Sequence, residues 1–257
     1  MTKGQAFEFL DPTWFDELGS TSTHLRQMLK TDPLPSGTVV AARTQTSGRG
    51  RMGNAWHSPP RGDLTFSFLW TGKKPRAELA GLSMAVALGV GDWLDGLGVK
   101  TFCKWPNDVM TGKGKICGII AEASFTGDSV SVVMGVGVNV VASSNRSAKI
   151  RQPIASIEEE TGASAGDPGR LLPALLRSIA PRMADWERDG FSALRKDLSE
   201  RLWGVGKRVE VREGNRTRRG RIVGLSASGG LVLEENGGEF GIVSGVVGLE
   251  PEAGDAR

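Results

Sequence analysis

The chain has 257 residues, 39% hydrophobic and 24% charged, which is the make-up of a folded protein with a substantial core. Its formal charge of +3 is no nucleic-acid signature without a basic patch, and it leaves acidic small molecules equally admissible as partners. Two cysteines, Cys103 and Cys117, argue against a disulfide scaffold and suit a reducing compartment.

The N-terminal MTKGQAFEFLDP lacks the apolar core of a signal peptide, and no apolar run approaches the ~20 residues of a membrane span. A cytoplasmic protein is expected. The first strand is expected at GTVVAA, 37–42, leading directly into TSGRGRMGNAW, 46–56, which is therefore a post-strand loop and not a terminal tail. LTFSFLW, 64–70, alternates as a second strand. Leu79, Leu82, Val86, Val90, Trp93 and Leu97 recur at helical spacing, with Gly89 and Gly91 weakening the helix while permitting close packing. Lys100–Trp105, Lys115–Ser124 and Val130–Val140 read as further strands. Ser143–Gln152 is polar and aperiodic, the pattern of a mobile loop. Asp167 and Pro168 open a helix whose face carries Leu172, Leu175, Ile179, Met183 and Trp186, with Pro181 expected to kink or interrupt it. After Trp203, short alternating segments (KRVEVR, RTRRGRIVGL, GLVLEE, EFGIVS) separated by Gly/Asn turns predict a small antiparallel barrel of roughly 50 residues. The expected domains are 1–203 and 204–257, with a frayed tail PEAGDAR.

Five segments carry candidate chemistry. In the Gly/Arg loop, Arg49 and Arg51 are either a solvated basic stretch or a pocket wall for an anion. Gly48 and Gly50 would then let the backbone approach while the guanidiniums supply forked, charge-assisted bonds. The spacing fits neither a P-loop nor a GxGxxG fingerprint. In KWPNDVM, Pro106 should end the strand at Trp105, leaving Asn107 and Asp108 as turn formers or as a carboxylate beside Lys104 or Lys115. Lys115, at the entrance of a buried-looking strand, is either solvated or a point charge at a pocket mouth. Ser20, Thr21 and Ser22 could simply cap a helix beginning near Thr23, and Gly135, Gly137 and Asn139 could form a strand bulge. His24 and His57 lack companions at metal-ligand spacing, so no metal site is expected, and the cysteines read as small buried apolar residues.

Taken in order, GSTSTHL, TQTSGRGRMGNAW, KWPNDVM, GKICGIIAE and GVGVNV resemble the biotin protein ligase family, and the resemblance extends through QPIASIEEETG to the C-terminal barrel. It implies an α/β (α+β) catalytic domain with a mixed, class II synthetase-like sheet, followed by an SH3-like barrel. The implied reaction activates biotin with ATP as biotinyl-5′-adenylate and passes the biotinyl group to a lysine of a biotin carboxyl carrier domain. Magnesium would be held mainly by phosphates and waters. By the same resemblance Lys115, Asp108 and Arg51 carry the chemistry, with Lys115 on the biotin carboxylate and Asp108 either orienting Lys115 or accepting the acceptor lysine's proton. Ser20, Thr21, Ser22 and Gln45 match positions around the ureido head. Gly48, Arg49, Gly50, Arg51, Trp56 and Asn107 line the biotin and phosphate region, and Gly118, Gly135 and Asn139 shape the pocket floor. Val141–Pro153 corresponds to a segment that orders over the adenylate.

The chain departs from the family pattern at Ser22, where Asn usually follows Ser-Thr, and at Met52 and Asn54, which are basic in the fuller GRGRRGR form. The alternatives are lipoate or octanoate attachment and, more remotely, a biotin-sensing regulator. With the GST motif beginning at Gly19 there is no room for an N-terminal helix-turn-helix, so no DNA binding is expected, and no membrane partner either. The basic run Arg212–Arg221 reads as a solvated strand face or a contact for the acidic carrier. Monomer and weak homodimer both stay open.

Overall fold

The computed structural model describes residues 7–142 and 152–250. Nearly all of the expected loop at Ser143–Gln152, and the whole tail from residue 251, lie outside the described residues.

Seven strands form a mixed sheet: β1 Thr13–Leu18, β2 Val39–Gln45, β3 Asp63–Gly72, β4 Phe102–Lys104, β5 Asp108–Met110, β6 Lys115–Thr126 and β7 Ser129–Asn139, in the order β1-β2-β3-β7-β6-β5-β4. Only β1 and β2 pair in parallel. The sequence reading misses β1 because TWFDEL has no clean alternation. It is an edge strand, mostly exposed, and its register against β2 (Thr13 opposite Val40 through Leu18 opposite Gln45) is set by tertiary pairing.

One face of the sheet carries α1, Thr21–Thr31, whose Leu25 packs on Val40, Leu69 and Val133. Ser20 caps this helix, so it begins two residues earlier than expected. The other face carries α2, Leu82–Gly96, with α3, Ile157–Thr161, α4, Leu172–Asp189, and α5, Arg195–Glu200, following in the chain. Helices α2 and α4 cross closely because Gly89 has no Cβ: one built there would stand 2.6 Å from the Ile179 Cα. Trp70 of the sheet meets Trp186 of α4 edge-on at 5.1 Å.

One expectation is corrected, and of the two effects expected of Pro181 the interruption does not occur. Residues Arg76–Gly96 are, by length and composition, long and apolar enough to cross a membrane, but that apolarity covers a helix buried in the core. Helix α4 also runs through Pro181 unbroken. Pro181 and Arg177, whose carbonyl loses its helical partner, both lie on the exposed side, while Leu175, Leu176, Ile179, Met183 and Trp186 anchor the buried one.

Beyond residue 204 come β8 Arg208–Glu213, β9 Arg216–Leu225, β10 Leu231–Glu235, β11 Gly238–Ile242 and β12 Val246–Leu249, an antiparallel five-stranded sheet in the order β11-β10-β9-β8-β12. Its core is Val209, Val211, Ile222, Leu231, Leu233 and Val247. It is stitched to the large sheet at the β4–β5 hairpin. Trp105 Nε1 donates to the Gly229 carbonyl at 3.0 Å, and the chain leading into the small sheet is held by Cys103 N to the Arg201 carbonyl at 2.8 Å and Trp203 N to the Cys103 carbonyl at 3.0 Å.

Candidate active site

An open cavity lies on the α1 side of the sheet, where β2, β3, β6 and β7 meet the Gly/Arg loop. Its floor is made by the absence of side chains. Gly118 and Gly137 stand opposite each other across β6 and β7, and Gly135 stands opposite Ile120. A Cβ on Gly137 would meet the Trp56 ring at 2.5 Å, one on Gly118 would meet it at 2.9 Å, and one on Gly135 would meet Ser22 Oγ at 2.4 Å. The Trp56 indole therefore lies on a bare patch of backbone, its Nε1 donating to Ser58 Oγ at 2.9 Å. Gly48 works differently. It stays outside the cavity lining but lets the chain return on itself, accepting a 2.9 Å bond from Trp56 N with the Trp56 carbonyl where a Cβ would be.

One end of the cavity is polar and uncharged. Thr21 N and Oγ1 approach Gln45 Oε1 at 2.8 and 3.2 Å, and the Ser67 hydroxyl lies 2.8 Å from Thr21 Oγ1 and 2.9 Å from Ser22 Oγ. All three hydroxyl residues are buried. Ser20 spends its side chain on the α1 cap, accepting from Thr23 N at 3.4 Å.

The other end is charged. Lys115 Nζ forms a 2.8 Å ion pair with Asp108 Oδ1, both side chains about five-sixths buried, and lies 5.8 Å from the centre of the Trp56 ring. Of the two lysines left open as partners of Asp108, the geometry selects Lys115. Lys104 instead lies over the Trp203 ring at 4.9 Å, where burial lowers its pKa against the pull of Asp108. Arg51 Nη1 donates to Asn107 Oδ1 at 3.0 Å and to the Gly245 carbonyl of the small domain at 3.3 Å, while Asn107 Nδ2 donates to the Ile119 carbonyl at 2.7 Å. Burial lowers the Arg51 pKa, and Asp108 opposes that shift. Arg49 pairs with Glu122 at 3.2 Å, a carboxylate that also holds Arg26 at 2.9 Å.

The structure thus gathers Ser20, Thr21, Ser22, Gln45, Arg49, Gly50, Arg51, Trp56, Asn107, Lys115, Gly118 and Gly135 around one cavity. Asn139 lies outside the lining. Its amide donates to the Lys115 and Ala155 carbonyls at 3.0 and 2.9 Å, so it fastens the base of β6 without forming floor. Met52 is 64% exposed, with φ +55, and points away from the cavity. Sequence reasoning missed Ser67 and Glu122, and it read Gly137 only as part of a possible strand bulge. For Gly137 a signal existed, since Gly135 and Gly137 stand two residues apart on one face of a strand. For Ser67 the signal was a lone hydroxyl inside the apolar run TFSFLW.

The Biotin/lipoate A/B protein ligase family profile matches residues 14–139, and the Biotin protein ligase C terminal domain profile matches residues 204–249. The biotin–[acetyl-CoA-carboxylase] ligase of Paracoccus denitrificans is 32% identical over 223 residues, covering 84% of this chain and 92% of that one. The bifunctional ligase/repressor BirA of Bacillus subtilis is 29% identical, over 88% of this chain and 70% of its own length. The solved biotin protein ligase of Aquifex aeolicus, in complex with biotin and ATP, superposes with a TM-score of 0.81 at 28% identity, covering 94% of this chain and 99% of that one. On the extent of these matches, and on a fold shared over almost its whole length, the chain belongs to the biotin protein ligase family.

Proposed function

We propose that this chain activates biotin with ATP and transfers it to a lysine of a biotin carboxyl carrier domain. In the first step a biotin carboxylate oxygen attacks the α-phosphorus of ATP. The bond to the bridging oxygen breaks, pyrophosphate leaves, and biotinyl-5′-adenylate remains. In the second, the neutral ε-amine of the carrier lysine attacks the acyl carbon. The acyl–oxygen bond breaks, AMP leaves, and the amine's proton passes to a base.

The observation that carries this reading is the polarity of the cavity, with hydroxyls and an amide at one end, cations at the other and glycines between. Such a cavity suits a ligand with an uncharged hydrogen-bonding head and a carboxylate tail. Bringing that carboxylate to a polyphosphate sets anion against anion, and fixed cations offset the repulsion. Lys115, steadied by Asp108 at 2.8 Å, is assigned to the carboxylate and the adenylate oxygens. Arg51 is assigned to the phosphates. Its present acceptors are two neutral carbonyl oxygens, which a phosphate outcompetes because charge-assisted bonds are roughly twice as strong. Asp108 serves as an orienting group for Lys115. Among the described residues no group of three or more His, Cys, Asp or Glu is disposed to hold a metal, so magnesium is assigned to the phosphates and water.

Lipoate attachment is the weaker reading. A dithiolane ring has no N–H or carbonyl to engage the hydrogen-bonding groups of Thr21, Ser22 and Gln45, so that end of the cavity does not select for it. The basic run of the small domain also gives little support to nucleic-acid binding. Arg219 and Arg212 pair with Glu210, Arg208 pairs with Glu250, and Arg218 stacks on Phe240. Incubating the protein with ATP, Mg²⁺ and an apo carrier domain, with biotin or lipoate, and weighing the carrier tests the proposal. A biotin-dependent mass gain is expected, and its absence overturns the reading.

A further inference from the structure

Ser67 belongs to no motif of the Gly/Arg, KWPND or GVGVNV kind, yet it is 0% exposed and its hydroxyl touches both Thr21 and Ser22. The contacts Ser22–Ser67 at 2.9 Å, Ser67–Thr21 at 2.8 Å and Thr21–Gln45 at 3.2 Å form one line of oxygens. Each such contact needs one proton, because two facing lone pairs repel. Three hydroxyls supply three protons.

Only one direction serves all three contacts. Ser22 donates to Ser67, Ser67 to Thr21, and Thr21 to Gln45 Oε1. In the opposite direction the Thr21 proton turns to Ser67, the Thr21–Gln45 contact loses its hydrogen, and the Ser22 proton points into the cavity. The Gln45 amide is held the same way round by Thr21 N, which donates to Oε1 at 2.8 Å and leaves the Nε2 hydrogens unspent on this line.

We infer that Ser67 is a positioning residue that sets the hydrogen-bond polarity of the cavity's neutral end, making Ser22 an acceptor toward the ligand and selecting a head group that presents an N–H there. The inference rests on the proposed biotin reading and deepens it. A cyclic urea supplies an N–H on each side of its carbonyl, and methylating the nitrogen that faces Ser22 removes the one that this hydroxyl would accept. Ser22 stands where the family pattern has Asn, and a hydroxyl has no fixed donor face of its own. Its direction has to be imposed from behind, where its hydroxyl meets that of Ser67 at 2.9 Å. Gly135 keeps the arrangement tight, since a Cβ there would lie 2.4 Å from Ser22 Oγ and 3.6 Å from Ser67 Oγ.

The test compares the native protein with Ser67→Ala and Ser67→Thr, measuring the dissociation constants of biotin and of its two singly N-methylated ureido analogues by calorimetry, and kcat and KM by pyrophosphate release. Removing the hub turns the Ser22 proton outward, so Ser67→Ala should weaken biotin by about 10- to 100-fold, the range for a mispaired buried hydrogen bond. It should leave kcat within about threefold. It should also shrink the preference for biotin over one of the methylated isomers by at least about tenfold, because the N–H is no longer rewarded. Ser67→Thr keeps the hydroxyl and should restore that preference. A purely structural role for Ser67 would lower the melting temperature and leave the preference among the three ligands unchanged, and that result overturns the inference, as does a loss confined to kcat. If the native protein binds no biotin at all, the proposed function itself fails. Native binding with unchanged selectivity in Ser67→Ala strikes the inference alone.

Discussion

Gly137→Ala places a methyl group 2.5 Å from Trp56 Cε2 and 2.6 Å from Cζ2, closer than real Cβ contacts come, so the indole must lift off the floor. Gly137 adopts ordinary strand geometry, and alanine there would by itself stabilise by about 0.5–1 kcal/mol. Overpacking of a fitted site costs about 1–3 kcal/mol, leaving a net loss of roughly 0.5–2 kcal/mol. At about 2–4 °C per kcal/mol for a chain of this size, the thermal midpoint should fall by a few degrees. Gly241 provides the control. It lies in a strand with nothing within 4 Å of a built Cβ, and the same substitution there should raise the midpoint. The floor also defines the cavity, so Gly137→Ala should weaken biotin by at least about tenfold, measured by calorimetry, while Gly241→Ala leaves it alone. Removing the ring decides the cause. In a Trp56→Ala background Gly137→Ala should cease to destabilise, giving a coupling of about 1–3 kcal/mol between the two sites. If both glycines respond alike in both backgrounds, Trp56 does not rest on Gly137 and the account of the floor is wrong.

Lys115→Ala should reduce pyrophosphate release by about 100- to 1,000-fold with the fold intact, since it removes a fixed cation from the reacting anions; unchanged release would refute its role. Asp108→Asn should slow both half-reactions if Asp108 orients Lys115, whereas loss of carrier transfer alone would make it a base. Arg51→Gly should shorten the lifetime of bound adenylate, followed by radiolabel release from a filter-trapped complex, and should lower the melting temperature through the lost tie to Gly245. The cysteines yield a pH prediction. Burial pushes the Cys103 thiol up to about 12 and the Cys117 thiol higher still. The folded protein therefore keeps protons that the unfolded chain releases from about pH 9, and stability must fall as pH rises from there toward 12. The slope is about 1.4 kcal/mol per pH unit for each thiol, and denaturant titrations of Cys117→Ala should show it roughly halved. Neither thiol should react with iodoacetamide at pH 8.5 without unfolding.

The features legible in the sequence are those written by local pattern. The alternation of 64–70, the Val-rich run of 130–140, the 3.6-residue period of 82–93 and the turn-punctuated strands after 204 are each written within their own segment. The cavity was legible for a different reason. Its chemistry sits in short motifs at the ends of elements and in the Gly/Arg loop, and twelve of the residues so marked line one pocket. What stayed hidden depends on partners far away in the chain. Strand β1 exists because β2 offers it an edge. Helix α4 survives Pro181 because its other face is held by α2. Asn139, read as floor, is a fastener because residues 115 and 155 come within reach of its amide. The role of Arg51 was half visible. A guanidinium between glycines announces an anion site, but nothing local says that it also reaches Gly245, almost two hundred residues on. That contact changes how the small domain should be regarded. With Trp105 held by Gly229 and Arg51 by Gly245, two turns of the small sheet grip the hairpin that presents Asn107 and Asp108. On the proposed reading, an anion that draws Arg51 Nη1 inward competes with the Gly245 contact. By linkage, if Arg51 holds the phosphates as proposed, whatever strengthens the grip weakens the anion's hold by the same factor, and the small sheet is then coupled energetically to the cavity.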